Sequence, residues 1–275
     1  MQIETANAAV ERIVICGSGL AAHLTVAALA TQLPAAIQLT WVDVPSSSES
    51  DLFYGSLTAP TAYTFNLLAG VSEPELLLGS DTSFSWGTKY VDWGKERRSW
   101  TQCFHLPLPV VGGVLFQQYL TRLGIGELEP YLISAAAANR GVFAHPVQGG
   151  PPHLALAEYG YHFGAQSYVN PFAKTAAMSR VQRIEAELSG IERNEHGIAA
   201  LHLSDGRAYS ADFYIDCTGP QARLLSQLDD AFEGGRRLRA VSSKRPADRL
   251  GPACRTVTGH DFGWRSETPL QRNTM

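Results

Sequence analysis

The sequence predicts an α/β fold built on a parallel sheet, and three stretches carry that prediction. Arg12 to Cys16 holds a short β-branched run, Ile13-Val14-Ile15, that feeds a glycine turn. Leu20 to Thr31 is rich in Ala and Leu and reads as a helix that stops before Pro34. Ile37 to Val42 is a second apolar strand, and it ends at Asp43. Strand, turn, helix, strand and acid in this order make a nucleotide-binding unit.

The turn reads Gly17-Ser18-Gly19-Leu20-Ala21-Ala22, a G-x-G-x-x-A. Gly17 permits the tight turn, Gly19 lets the backbone approach a pyrophosphate, and the small Ala22 lets the helix pack on the strand. The helix amino terminus presents N–H groups to phosphates. Asp43 is placed to accept a hydrogen bond from a ribose hydroxyl. The expectation is an FAD/NAD(P)-binding Rossmann-like domain.

The residues after Asp43 bear on which dinucleotide it takes. In an NAD-type domain a third parallel strand comes soon after the second, within a compact repeat. Here residues 44–180 intervene, rich in aromatic, Pro and Gly residues. Arg183 to Cys217 then reads as an antiparallel β-meander, with turns at Asn194-Glu195-His196-Gly197 and Ser204-Asp205-Gly206-Arg207. It delivers a last apolar strand, Phe213-Tyr214-Ile215, and the turn Asp216-Cys217-Thr218-Gly219. A late Thr-Gly turn that returns to the cofactor suits a split flavin domain. FAD is therefore favoured, with an NAD-dependent dehydrogenase as the rival, and Asp216, Thr218 and Gly219 join the cofactor candidates.

The expected organisation is one discontinuous FAD-binding domain with its core at 11–60 and 155–225. A substrate-side region, itself incomplete, is inserted at 61–154, and a basic, flexible tail occupies 232–275. Within this frame Ser46 to Ser50 is a polar loop, and Ser72-Glu73-Pro74-Glu75 is a capping box opening a short helix. Ser83 to Trp93 alternates as one strand, with Phe84, Trp86 and Tyr90 on one face and Ser85, Gly87 and Lys89 on the other.

Candidate chemistry elsewhere is thin. Trp86, Trp93 and Trp100 are either an indole cage or core, and core is the preferred reading. His105 is an acid–base candidate with no visible partner, so a structural histidine is preferred. His145, His153 and His162 have no ligand partners in register, and no metal is expected. Cys16, Cys103, Cys217 and Cys254 form no C-x-x-C pair and read as reduced cysteines. Arg236, Arg237, Arg239, Lys244, Arg245, Arg249 and Arg255 stand against Asp248 alone, as a solvated segment or an anion patch.

Composition agrees with an ordinary globular chain. Its 275 residues are 45% hydrophobic and 17% charged, enough for a sizeable core. A net charge of −4 gives no electrostatic reason to expect nucleic acid or an anionic membrane. No apolar run reaches the ~20 residues of a membrane span, and the start lacks a secretory pattern. Cytoplasm is the expected location.

Several stretches, taken together, resemble the flavin-dependent tryptophan halogenases in order and spacing. They are Ile13 to His23, Leu52 to Leu78, Phe84-Ser85-Trp86-Gly87-Thr88-Lys89-Tyr90-Val91-Asp92-Trp93, and Tyr159-Gly160-Tyr161-His162-Phe163. Ile215-Asp216-Cys217-Thr218-Gly219 completes the flavin side. Gly263-Trp264-Arg265 to Thr268-Pro269-Leu270-Gln271 looks like a degraded W-x-W-x-I-P.

The resemblance implies reduced FAD supplied by a separate flavin reductase, oxygen and halide as reactants, and a small aromatic substrate such as an indole. It also implies a lysine that directs halogenation. Here Ser85 occupies that lysine position, and a serine has no ammonium to donate. Lys89 is about 13 Å along the same strand, too far to substitute. Gly55-Ser56-Leu57-Thr58-Ala59-Pro60 departs from the family's Gly-Glu-Ala-Thr flavin loop. Family members run to roughly twice this length, and their later half holds a further flavin contact and an active-site glutamate. The expectation is a halogenase-like FAD oxidoreductase not competent to halogenate as this chain, or a non-catalytic remnant or one half of a split enzyme.

Overall fold

A computed structural model describes residues 9–45, 55–104, 108–228 and 239–275, apart from the side chain of His153. The polar loop at 46–50, His105, Arg236 and Arg237 lie outside the described residues. The chain begins β1 (Arg12–Gly17), α1 (Gly19–Gln32), β2 (Gln38–Asp43), α2 (Ala62–Leu68) and α3 (Glu73–Gly79). It continues with β3 (Ser83–Ser85), β4 (Gly87–Trp93), β5 (Arg98–Cys103), β6 (Val110–Val111) and β7 (Val114–Leu115). After α4 (Phe116–Arg122) and α5 (Ile133–Asn139) come β8 (Gly160–His162), β9 (Val181–Glu185), β10 (Leu188–Asn194) and β11 (Gly197–Leu203). The last strands are β12 (Ala208–Tyr209), β13 (Phe213–Cys217), β14 (Arg245–Pro246), β15 (Arg255–His260), β16 (Gly263–Glu267) and β17 (Asn273–Thr274).

The chain divides into two compact units. One comprises Met1–Gly55, Phe65–Glu75 and Val169–Ala240, the other Ser56–Thr64, Leu76–Tyr168 and Val241–Met275.

The first unit is built on a four-stranded parallel sheet, ordered β13-β1-β2-β9. Both of its faces are covered, which is why β1 reads as a continuous apolar run. Ile13, Ile15, Leu39 and Trp41 pack with Ala22, Val26 and Ala30 of α1. Val14, Cys16 and Val42 point the other way and meet Ile184, Leu188, Leu201 and Leu203. The antiparallel meander is β10-β11-β12. It does not begin at Arg183 as expected, because Val181–Glu185 pairs with β2 in parallel and belongs to the main sheet. Residues 44–180 thus separate two strands that lie side by side.

Arg180 fastens α1 to this sheet. Its guanidinium donates to the carbonyl oxygens of Ala30, Leu33, Pro34 and Ile37 at 2.7–3.2 Å. A cation there also offsets the negative end of the helix dipole. The capping box at Ser72 forms as expected: the Ser72 backbone N–H and its Oγ–H donate to the Glu75 carboxylate at 2.8 and 2.6 Å.

In the second unit the principal sheet has the order β16-β15-β4-β5, and β3 pairs separately with β8. Ser83 to Trp93 is therefore not one strand. The break falls at Trp86, whose N–H donates to the Ala253 carbonyl oxygen at 2.8 Å. Next comes Gly87 at φ +147°, where a Cβ would stand 2.0 Å from the Gln102 carbonyl oxygen. Only glycine lets β5 come so close. Over residues 255–267 the expected flexible tail is instead paired strand, antiparallel within the pair and parallel to β4.

Candidate functional site

The glycine turn sits at the carboxyl end of β1, where open parallel sheets hold their ligands. Gly17 has φ +133°, and a Cβ would lie 2.1 Å from the Cys217 carbonyl oxygen. Its own carbonyl accepts the Trp41 indole N–H at 2.8 Å. Gly19 has φ +68° and opens α1. Ser18 makes no side-chain cap to the helix, and no acidic residue stands in the first turn. The first turn of this 14-residue helix carries no carboxylate of its own, which suits an anion at its amino terminus. Leu20 and Ala22 are buried, Ala22 against the sheet, and Ala21 is partly buried.

Asp43 ends β2 and is mostly covered, its side chain 12% exposed. It is held by Arg183, whose Nε and Nη2 reach one carboxylate oxygen at 3.0 and 2.5 Å. The same guanidinium lies 4.7 Å from the centre of the Trp41 ring. Nothing in the sequence singled out Arg183. The register β2–β9 sets Trp41 opposite it, a pairing visible only once β9 is in the sheet.

The turn after β13 is closed by its own side chains. One oxygen of Asp216 accepts the Thr218 N–H and hydroxyl at 2.9 and 2.6 Å, the other the Leu224 and Leu225 N–H groups at 2.8 and 2.9 Å. The Thr218 oxygen in turn accepts the Arg223 N–H at 2.7 Å. Gly219 comes next in the turn, with φ +75°. Asp216 and Thr218 shape the loop beside Gly17.

In the second unit Ser85 is fully buried, and its hydroxyl lies 3.1 Å from both the N–H and the carbonyl oxygen of Gly87. Because the strand is broken, Lys89 does not share its face. It belongs to another sheet, and its ammonium donates to the Asn139 side-chain oxygen at 3.1 Å. The three tryptophans form no common cage. Trp86 is buried, meets Phe143 at 4.7 Å and donates its indole N–H to the Val142 carbonyl oxygen. Trp93 and Trp100 instead contact Tyr90, the latter stacked at 4.7 Å.

Phe84 heads an aromatic wall the sequence did not reveal. It stacks on Phe143 at 4.3 Å and meets Tyr159 edge-on at 5.5 Å. His162 is fully buried, with Nδ1 3.2 Å from the Ser83 hydroxyl and Nε2 without a partner among the described residues. Burial pushes its pKa down to about 3; the Pro269 carbonyl works against this and the Arg255 charge with it. All four cysteines are free and buried, and burial pushes the Cys16 and Cys103 thiols up to about 12.

A model of the tryptophan halogenase family matches residues 12–275. The chain belongs to the tryptophan halogenase family. It is 22% identical over 241 residues to the tryptophan 7-halogenase KtzQ of Kutzneria sp. (strain 744), covering 80% of this chain and 44% of that protein. Its fold is similar to that of Xcc4156, a flavin-dependent halogenase from Xanthomonas campestris, with a TM-score of 0.78 and 25% identity. BrvH, a flavin-dependent halogenase from Brevundimonas sp. BAL3, gives a TM-score of 0.76 at 23% identity. These alignments cover 96% of this chain and 54% and 55% of the two structures. The chain spans about half the length of the relatives it matches. Family membership sets aside the dehydrogenase reading. Among the described residues no helix is long and apolar enough to cross a membrane.

Proposed function

We propose that this chain is a flavin-binding, halogenase-like oxidoreductase component that acts on a small aromatic compound. Reduced flavin comes from a separate reductase, and the chain alone does not halogenate tryptophan. The parallel-sheet unit takes the flavin role and the other unit the substrate side. FAD supplies the oxygen activation when bound. The observation that carries the reading is the β1–α1 turn, where a helix with no acidic residue in its first turn opens at the end of a central parallel strand. Gly17, Ser18 and Gly19 bring backbone to the diphosphate, with Leu20, Ala21 and Ala22 seating the helix. Asp43 accepts from the ribose while Arg183 holds its carboxylate in place. Asp216, Thr218 and Gly219 shape the neighbouring loop and bring its backbone alongside.

The absence of halogenation rests on Ser85. A lysine owes its effect to a preorganised positive charge, a large contribution in a dry site. Ser85 offers a hydroxyl already closed onto Gly87. The test supplies a reductase, FAD, NADH, oxygen and halide with tryptophan, and reads products by mass spectrometry. Peroxide without halotryptophan is expected. A single enzyme-dependent halotryptophan isomer from the unmodified chain contradicts the reading.

A further inference from the structure

We propose that Trp41 and His23 are positioning residues for a dinucleotide: together they pin the two glycine carbonyls of the β1–α1 turn, so that its backbone meets a diphosphate in one fixed shape. The inference rests on the reading that this turn receives FAD. Gly17 at φ +133° and Gly19 at φ +68° hold conformations that other residues avoid. The same freedom lets the peptide planes beside them swing. Two donors hold those planes. The Trp41 indole N–H donates to the Gly17 carbonyl oxygen at 2.8 Å, from a ring that is wholly buried. His23 Nδ1 lies 2.8 Å from the Gly19 carbonyl oxygen, which only accepts, so Nδ1 carries the proton.

Local structure places both donors. Trp41 stands opposite Ile15 in the parallel pair β1–β2, and its long side chain reaches forward to the carbonyl two residues past that partner. His23 follows Gly19 by one turn of α1, and side chains on a helix lean back towards its amino terminus. The two rings meet edge to face at 4.8 Å and 77°, an arrangement aromatic pairs prefer, so each limits the movement of the other.

The indole also carries the Arg183 guanidinium, 4.7 Å from the ring centre. Arg183 in turn holds Asp43 through its Nε at 3.0 Å. One buried ring thus supports the groups proposed to seat both the diphosphate and the ribose. The C=O and N–H of a planar peptide point in opposite directions, so pinning the Gly17 and Gly19 oxygens fixes the Gly17–Ser18 and Gly19–Leu20 planes. A turn ordered beforehand loses less entropy when its ligand arrives, and affinity rises by that difference. Trp41 and His23 act through the backbone they hold.

The test measures FAD and ADP affinity on the full chain, at a temperature where circular dichroism shows each variant folded. Trp41→Phe keeps an aromatic ring without the donor, and His23→Leu removes the other donor. Each should weaken both ligands about tenfold, the scale of one lost hydrogen bond. His23→Gln returns a donor for the Gly19 carbonyl and should bind within about twofold of wild type. The Trp41 indole N–H resonance, identified by its disappearance in Trp41→Phe, should shift when ADP is added to the wild type, which a merely structural role would not produce. If Trp41→Phe does not fold, the two His23 variants decide. An unmoved resonance at saturating ADP, wild-type affinity in folded His23→Leu, or a His23→Gln protein as weak as His23→Leu overturns the positioning role and leaves the flavin site standing. A wild type that binds neither FAD nor ADP overturns both.

Discussion

The turns at the carboxyl ends of β1 and β13 lie on neighbouring strands, with Gly17 opposite Cys217, yet their polar groups do different things. After β13, Asp216 accepts four hydrogen bonds from its own loop and Thr218 both donates and accepts within it. After β1, Ser18 makes no side-chain cap and the first turn of α1 carries no acid. One turn is satisfied by its own side chains; the other is proposed to receive an anion at its helix end. On the proposed reading, two glycine-bearing turns that look alike in sequence divide into a support and a site.

The sharpest way to break this comparison is Gly17→Ala. A Cβ at 2.1 Å from the Cys217 carbonyl oxygen, on a backbone at φ +133°, has no room unless β13 moves. The loss should exceed about 3 kcal/mol in urea unfolding, because clash and backbone strain add. A stable Gly17→Ala protein means that the two strands do not approach as described.

His162 gives the second unit its own probe. Its folded pKa, near 3, lies below its unfolded value, so the unfolded state binds the proton between about pH 6.5 and 3. The stability it contributes is fully present above about pH 6.5 and is lost as pH falls towards 3, at roughly 1.4 kcal/mol per pH unit. His162→Phe should flatten that part of the stability–pH curve. An unchanged slope removes His162 as its source.

Asp216→Ala should cost about 1.5–3 kcal/mol, the scale of hydrogen bonds to a charged acceptor. The loss should appear in urea unfolding without any flavin, as expected of a support. Asp43→Ala sharpens the contrast from the other side. Arg183 is half exposed, so breaking its ion pair should change stability by under about 1 kcal/mol. FAD affinity should nevertheless fall about tenfold, the loss of one charge-assisted hydrogen bond. Equal effects on folding and binding at both positions erase the distinction between support and site.

Much of the first unit was legible because its signals are local. Ile13-Val14-Ile15, the G-x-G-x-x-A turn and Asp43 each draw their meaning from neighbours within a few residues. Val181–Glu185 was misassigned because its partner, β2, lies about 140 residues earlier, and no local pattern reports a parallel pairing across that distance. Ser83 to Trp93 alternates convincingly, yet Gly87 bends it between two sheets, a break that depends on the close approach of β5. The partners of Asp43 and Tyr159 were illegible for a related reason. Arg183 and His145 are ordinary polar residues until the fold brings them into hydrogen-bond range.

The central claim, that the β1–α1 turn receives a flavin dinucleotide by its diphosphate, is tested most directly by titrating the wild-type chain with FAD in the presence and absence of ADP. ADP carries the adenosine and diphosphate that Gly17, Gly19 and Asp43 are proposed to hold, so it should displace FAD competitively. Riboflavin, which lacks both, should not. FAD that binds with the same affinity whether or not ADP is saturating, or no FAD binding at all, contradicts the account.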